Sequence, residues 1–139
     1  MSIVDTYPLL TVSNLRESTD FFVRLGLRPL FEASWIVMLT HEDQADRGSI
    51  ALGLMTSDHP SRPPGPEVFD GRGMIITLQV DDAKALHTKL KTEGVAIHHE
   101  LADCPWGQRR FMLRDPSGVL IDVVEQIEPA PGFWEKYQN

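Results

Sequence analysis

Apolar residues recur at helical spacing in two segments of this chain and at strand-like spacing through most of the rest. Leu15, Phe21, Phe22 and Leu25 share one face of a segment that opens beside Ser13 and Asn14. Either of those residues can cap a helix by accepting a hydrogen bond from its first backbone N–H groups. Ala83, Leu86 and Leu90 form a second apolar face, with Lys84, Lys89 and Lys91 turned to water and Asp81 or Asp82 as the cap. Gly26 and Gly94 follow the two segments and suit the left-handed residue that ends a helix. One strand is expected to end at Val12 and another at Val80, each just ahead of a helix. After the first helix, strands are expected over 28–33, 35–40 and 49–55, and after the second over 95–101, 109–114 and 119–126.

The order is therefore βαβββ, twice. Val12-Ser13-Asn14-Leu15 aligns with Val80-Asp81-Asp82-Ala83, and the same offset carries Gly26 onto Gly94. This predicts an α+β domain of two modules, 4–56 and 73–126, in which the strands form a cupped mixed sheet with the helices on its outer face. Pro60, Pro63, Pro64 and Pro66 mark 57–72 as a linker. The tail, 127–139, carries Phe133, Trp134 and Tyr137 and is expected to pack on the domain or on a partner subunit.

A hairpin joins the last two strands. Pro116 fits the second position of a type I turn because its ring fixes φ, Asp115 suits the first, and Gly118 can close the turn as a left-handed bulge. With the bulge, 112 pairs with 122 and 110 with 124; without it, Phe111 faces Asp122. Alternation along the second strand sets Asp122 against Ile121 and Val123. A carboxylate buried there needs a partner or takes up a proton, and Arg109, Arg110 and Arg114 are the candidates.

At 139 residues the chain is about one domain, large enough for a core without staples. Cys104 is the only cysteine, which excludes an intrachain disulfide and fits the cytoplasm. No apolar run approaches the roughly 20 residues that span a bilayer, and the first residues lack the pattern of a signal peptide. A net charge of -7 without a basic stripe argues against nucleic acid and anionic membranes as partners.

The run Pro105-Trp106-Gly107-Gln108-Arg109-Arg110-Phe111, followed by Asp115-Pro116-Ser117-Gly118 and then Asp122, resembles the vicinal-oxygen-chelate superfamily. That superfamily groups the glyoxalases, bleomycin-resistance proteins and extradiol dioxygenases, and Pro-Trp-Gly-x-Arg-x-Phe is closest to the bleomycin-resistance branch. The resemblance covers residues 4 to 126 and implies an eight-stranded cup and a homodimer. For the enzymes of the group it also implies a divalent metal on four inward-facing His or Glu ligands. The matching positions here are Tyr7, Ile75 (or Met74, if the register slips by one), the stretch 50–54, and Asp122. Neither Ile75 nor any side chain of 50–54 can hold a metal. The histidines offer no replacement: His41 and His59 lie in loop-like sequence, His87 on a helix, and His98 and His99 point to opposite faces of a strand.

No metal, no other cofactor and no catalytic residue is therefore expected. The resemblance implies instead a protein that sequesters a cationic or aromatic small molecule, with Tyr7, Trp35, Trp106, Arg110, Phe111 and Asp122 as ligand-binding residues. The alternative is a lyase, epimerase or dioxygenase with a reshaped site, the one case in which a divalent metal is expected, or one in which Tyr7 and Asp122 act as acid and base without metal. A sensor or carrier of a metabolite is a third possibility.

Overall fold

The computed structural model describes residues 1–41, 49–61 and 67–138. Two βαβββ modules follow one another. The first consists of β1 (Leu9–Thr11), α1 (Leu15–Arg24), β2 (Leu27–Glu32), β3 (Ile36–His41) and β4 (Leu52–Met55). The second consists of β5 (Ile75–Gln79), α2 (Ala83–Thr92), β6 (His99–Cys104), β7 (Gln108–Arg114) and β8 (Leu120–Gln126). Both helices start where the sequence can cap them. The Asn14 side chain accepts from Glu17 N and that of Asp82 from Ala85 N, which settles each cap between its two candidates. Gly26 and Gly94 take positive φ values of 113° and 81° after the helices.

The strands form two four-stranded mixed sheets, ordered β1-β4-β3-β2 and β5-β8-β7-β6, which is the α+β fold of two βαβββ modules that the sequence predicts. In each sheet the first and last strands of the module pair in parallel and the remaining neighbours are antiparallel. The chain divides into two compact units, Met1–Arg72 with Asp115–Gly118, and Gly73–Arg114 with Val119–Asn139.

In the first unit α1 packs on β2, β3 and β4, and Phe22, Leu10, Leu39, Leu52 and Leu54 form the core between them. Ser18 of α1, fully buried, donates to the Asp115 carboxylate at 2.8 Å. The hairpin turn is thereby held by side chains as well as by its own Gly118 N–H to Asp115 carbonyl bond of 2.8 Å. In the second unit α2 packs on β6, β7 and β8. Its core is Ala83, Leu90, Phe111, Leu113, Ile121 and Val123, all fully buried.

Several boundaries differ from the sequence reading. β4 begins at Leu52 rather than 49, and β6 runs over His99–Cys104 rather than 95–101. Val95 to Ile97 find no partner strand, whereas Ala102 to Cys104 pair with Arg110 to Gln108. Trp35 lies in the turn between β2 and β3. Of the expected linker, 57–61 and 67–72 contain turns and bends without helix or strand; Pro63, Pro64 and Pro66 lie outside the described residues.

Candidate functional site

The site is built by strand alternation in the second sheet. Phe111, Leu113, Ile121 and Val123 occupy the face covered by α2, so Arg110, Met112, Asp122 and Val124 occupy the other. Met112 pairs with Asp122 and Arg110 with Val124, which is the register of the bulged turn, and Gly118 has the required positive φ of 90°. Pairing then extends across all four strands. His99, Met112, Asp122 and Thr77 lie side by side, and Ala102, Arg110, Val124 and Gln79 form the next row. Gln126 donates to the Gln79 amide oxygen at 3.1 Å along the same edge.

Trp106 stands at the end of this face, in the turn between β6 and β7. Its indole Nε1 donates to Gln108 Oε1 at 2.8 Å, and the Arg110 guanidinium lies over the ring, 4.9 Å from its centroid. Asp122 has a side chain only 10% exposed, with the nearest Arg110 nitrogen 3.9 Å from Oδ1. That distance is an ion pair without a hydrogen bond. Thr77 Oγ1 is 3.5 Å from the other carboxylate oxygen, at the limit of a bond. Asp122 Oδ1 and Arg110 Nε are both buried without a hydrogen-bond partner. Burial raises the Asp122 pKa above the ordinary carboxylate value; Arg110, Thr77 and His99 only partly offset it.

Among the three arginines proposed as partners, Arg110 is therefore the one that reaches Asp122. Arg109 points to the opposite face, donating to Asp103 at 2.7 and 3.2 Å and to Glu125 at 3.4 Å. Glu125 in turn accepts from Ala83 N at 2.9 Å and so ties β8 to the start of α2. These contacts are structural.

The surroundings of Asp122 do not suit a divalent metal. Its row supplies a threonine, a methionine and His99, so one carboxylate and one imidazole stand where a catalytic metal site uses about three protein ligands. Among the described residues no group of three or more His, Cys, Asp or Glu could hold a metal ion.

The six residues singled out in the sequence thus separate. Trp106, Arg110 and Asp122 come together on one face of the second sheet. Phe111 is corrected: it is fully buried under α2, its ring 5.2 Å from that of His87, and it faces away from Asp122. Tyr7 precedes β1 in the first unit and is partly exposed. Trp35 is half-buried in the same unit, its carbonyl accepting from Thr56 N at 3.0 Å. Sequence reasoning passed over Thr77, Gln79, Gln108 and Gln126. The alternation of Thr77 and Gln79 with Ile76 and Leu78 was the available signal.

Two βαβββ modules, with a polar and aromatic face on the second, define an α+β fold of duplicated modules. A family model of the Glyoxalase/Bleomycin resistance protein/Dioxygenase superfamily matches residues 5–123, and the chain belongs to that superfamily. Among solved structures, a protein from the mobile metagenome of V. pseudocholerae is 22% identical with a TM-score of 0.69, over 90% of this chain and 95% of that one. A glyoxalase family protein from Bacillus cereus is 16% identical with a TM-score of 0.69, over 92% and 97%. A bleomycin-binding protein complexed with bleomycin is 20% identical with a TM-score of 0.61, over 89% and 99%. At these identities the likeness is one of fold. A comparison with curated proteins finds no match.

Proposed function

We propose that this protein binds a small aromatic or cationic molecule on the Trp106–Arg110–Asp122 face, without a metal, and acts by sequestering it. The observation that carries the reading is the buried Asp122 Oδ1, an acceptor without a hydrogen bond on the same face as an aromatic ring. A cationic or N–H-bearing ligand satisfies that oxygen, and a flat ring system takes the place of Arg110 against the Trp106 indole. Such a contact contributes about 0.5–2 kcal/mol. The net charge of -7 favours the approach of a cation. The likeness to a bleomycin-binding protein makes antibiotics one class of ligand to try first.

The protein works as a homodimer in the cytoplasm on this reading. Exposed Leu9 and Phe31 support the dimer and the lone Cys104 supports the compartment.

Calorimetric titration with bleomycin and with N-methylacridinium tests the binding. Saturable binding that Trp106→Ala weakens about tenfold, or ~1.4 kcal/mol, is the expected result. Unaltered affinity in that variant, or no binding of either probe, removes the reading. Turnover of methylglyoxal hemithioacetal would move the protein to the enzymes of its superfamily.

A further inference from the structure

The segment after β8 is bound to the Trp106 turn by contacts that the ligand-binding reading does not use. Ile127 N donates to the Gly107 carbonyl and Ala130 N to that of Pro105, both at 2.9 Å. The Trp134 indole donates to the carbonyl of Trp106 itself at 2.7 Å. Gly107 adopts a φ of 106°, and a Cβ there would lie 3.0 Å from the Ile127 carbonyl oxygen and 3.3 Å from Pro129. The turn accepts the segment at this distance only because residue 107 has no side chain. Phe133 adds its ring, 6.4 Å from that of Trp106 and 5.2 Å from that of Trp134.

We propose that Trp134 is a positioning residue for the ligand site. Its indole N–H fixes the Trp106 backbone, and so fixes the plane on which the ligand lies. The inference rests on the proposed role of Trp106. Trp106 needs such a device because it sits in a turn, where no ladder holds its carbonyl; its own indole N–H donates to Gln108 and leaves the backbone unheld. Trp134 is 44% exposed, so packing alone gives a tryptophan little reason to be there.

Trp134→Phe keeps an aromatic ring and removes the donor. It is expected to weaken N-methylacridinium binding about three- to tenfold, the range of one hydrogen bond. In a Trp106→Ala background the same substitution should change nothing, because the carbonyl it releases then belongs to a residue that carries no platform. In NMR spectra the Trp106 indole N–H should shift and exchange faster in Trp134→Phe, while the melting temperature stays close to that of the parent. Equal affinity in parent and Trp134→Phe, alongside a loss in Trp106→Ala, overturns the positioning role and leaves the site intact. If Trp106→Ala itself binds normally, the site reading fails and the inference falls with it. An additive loss in the double variant assigns Trp134 to general stability and also overturns the proposal.

Discussion

Asp122 holds a carboxylate where its surroundings disfavour charge. Burial raises its pKa, and Arg110 at 3.9 Å is too distant to restore the balance. The folded state therefore holds the Asp122 proton more tightly than the unfolded chain does. Below the ordinary carboxylate pKa of 3.8 the group costs nothing; as pH rises through the folded value, stability is lost, and the loss is complete above it. Asp122→Asn removes the ionisation at nearly constant shape. It should be more stable than the parent at neutral pH, with the difference closing as pH falls towards the unfolded value. Paired urea titrations across that range measure it. A variant less stable at neutral pH would mean that the Arg110 contact outweighs desolvation. A group that costs stability at the working pH is what a ligand site retains and a purely structural ion pair does not.

The helices were legible because their signals are local. Asn14 and Asp82 each lie one residue before a helix, and each closes the bond that such a residue makes. Asn14→Ala should lower stability by about 1 kcal/mol, as measured by denaturant unfolding. An unchanged midpoint would show that α1 is held by its apolar face alone. The strands were less legible, since their ends depend on partners remote in sequence. Residues 95–97 look as apolar as a strand and find no partner, whereas Ala102 and Asp103, both poor strand formers, pair with Arg110 and Arg109. The site divided in the same way. Trp106 was singled out through the Pro-Trp-Gly-x-Arg-x-Phe resemblance and Asp122 through strand alternation, and the structure sets both beside Arg110. Phe111 was misplaced, because its face depends on whether the Asp115–Gly118 turn adds a residue, and that choice inverts every side chain of one strand against the other. The docking of the last segment was foreseen only as packing, because the bond from Trp134 to the Trp106 carbonyl carries no sequence pattern.

Neither unit repeats the other in what it exposes. The second sheet carries a polar face, with Thr77, Gln79 and Arg110 around Asp122. In the first sheet the corresponding rows are apolar. Leu9 pairs with Gly53, Gly53 with Met38, and Met38 with Phe31, one residue on each of four strands. A Cβ on Gly53 would collide with the Leu9 Cδ2 atom, so the glycine lets Leu9 lie across the sheet. Leu9 is 45% exposed and Phe31 57%, at the two edges of this row. A row of this kind left open to water lowers solubility, and covering it is favourable by about 25 cal/mol for each Å² of apolar surface removed. The proposed homodimer gives it a cover. Phe31→Glu places a charge on the edge without touching the buried core, and in light scattering after gel filtration it should turn a dimer into a monomer. A parent protein that is monomeric at the same concentration, or a Phe31→Glu dimer of unchanged affinity, would take this row out of the interface. The ligand experiments separate from this one, since Trp106 and Asp122 lie in the other unit. A monomeric Phe31→Glu that still binds the probe would show that the second sheet is sufficient for recognition. A monomer that loses the probe would mean that the partner subunit completes the site.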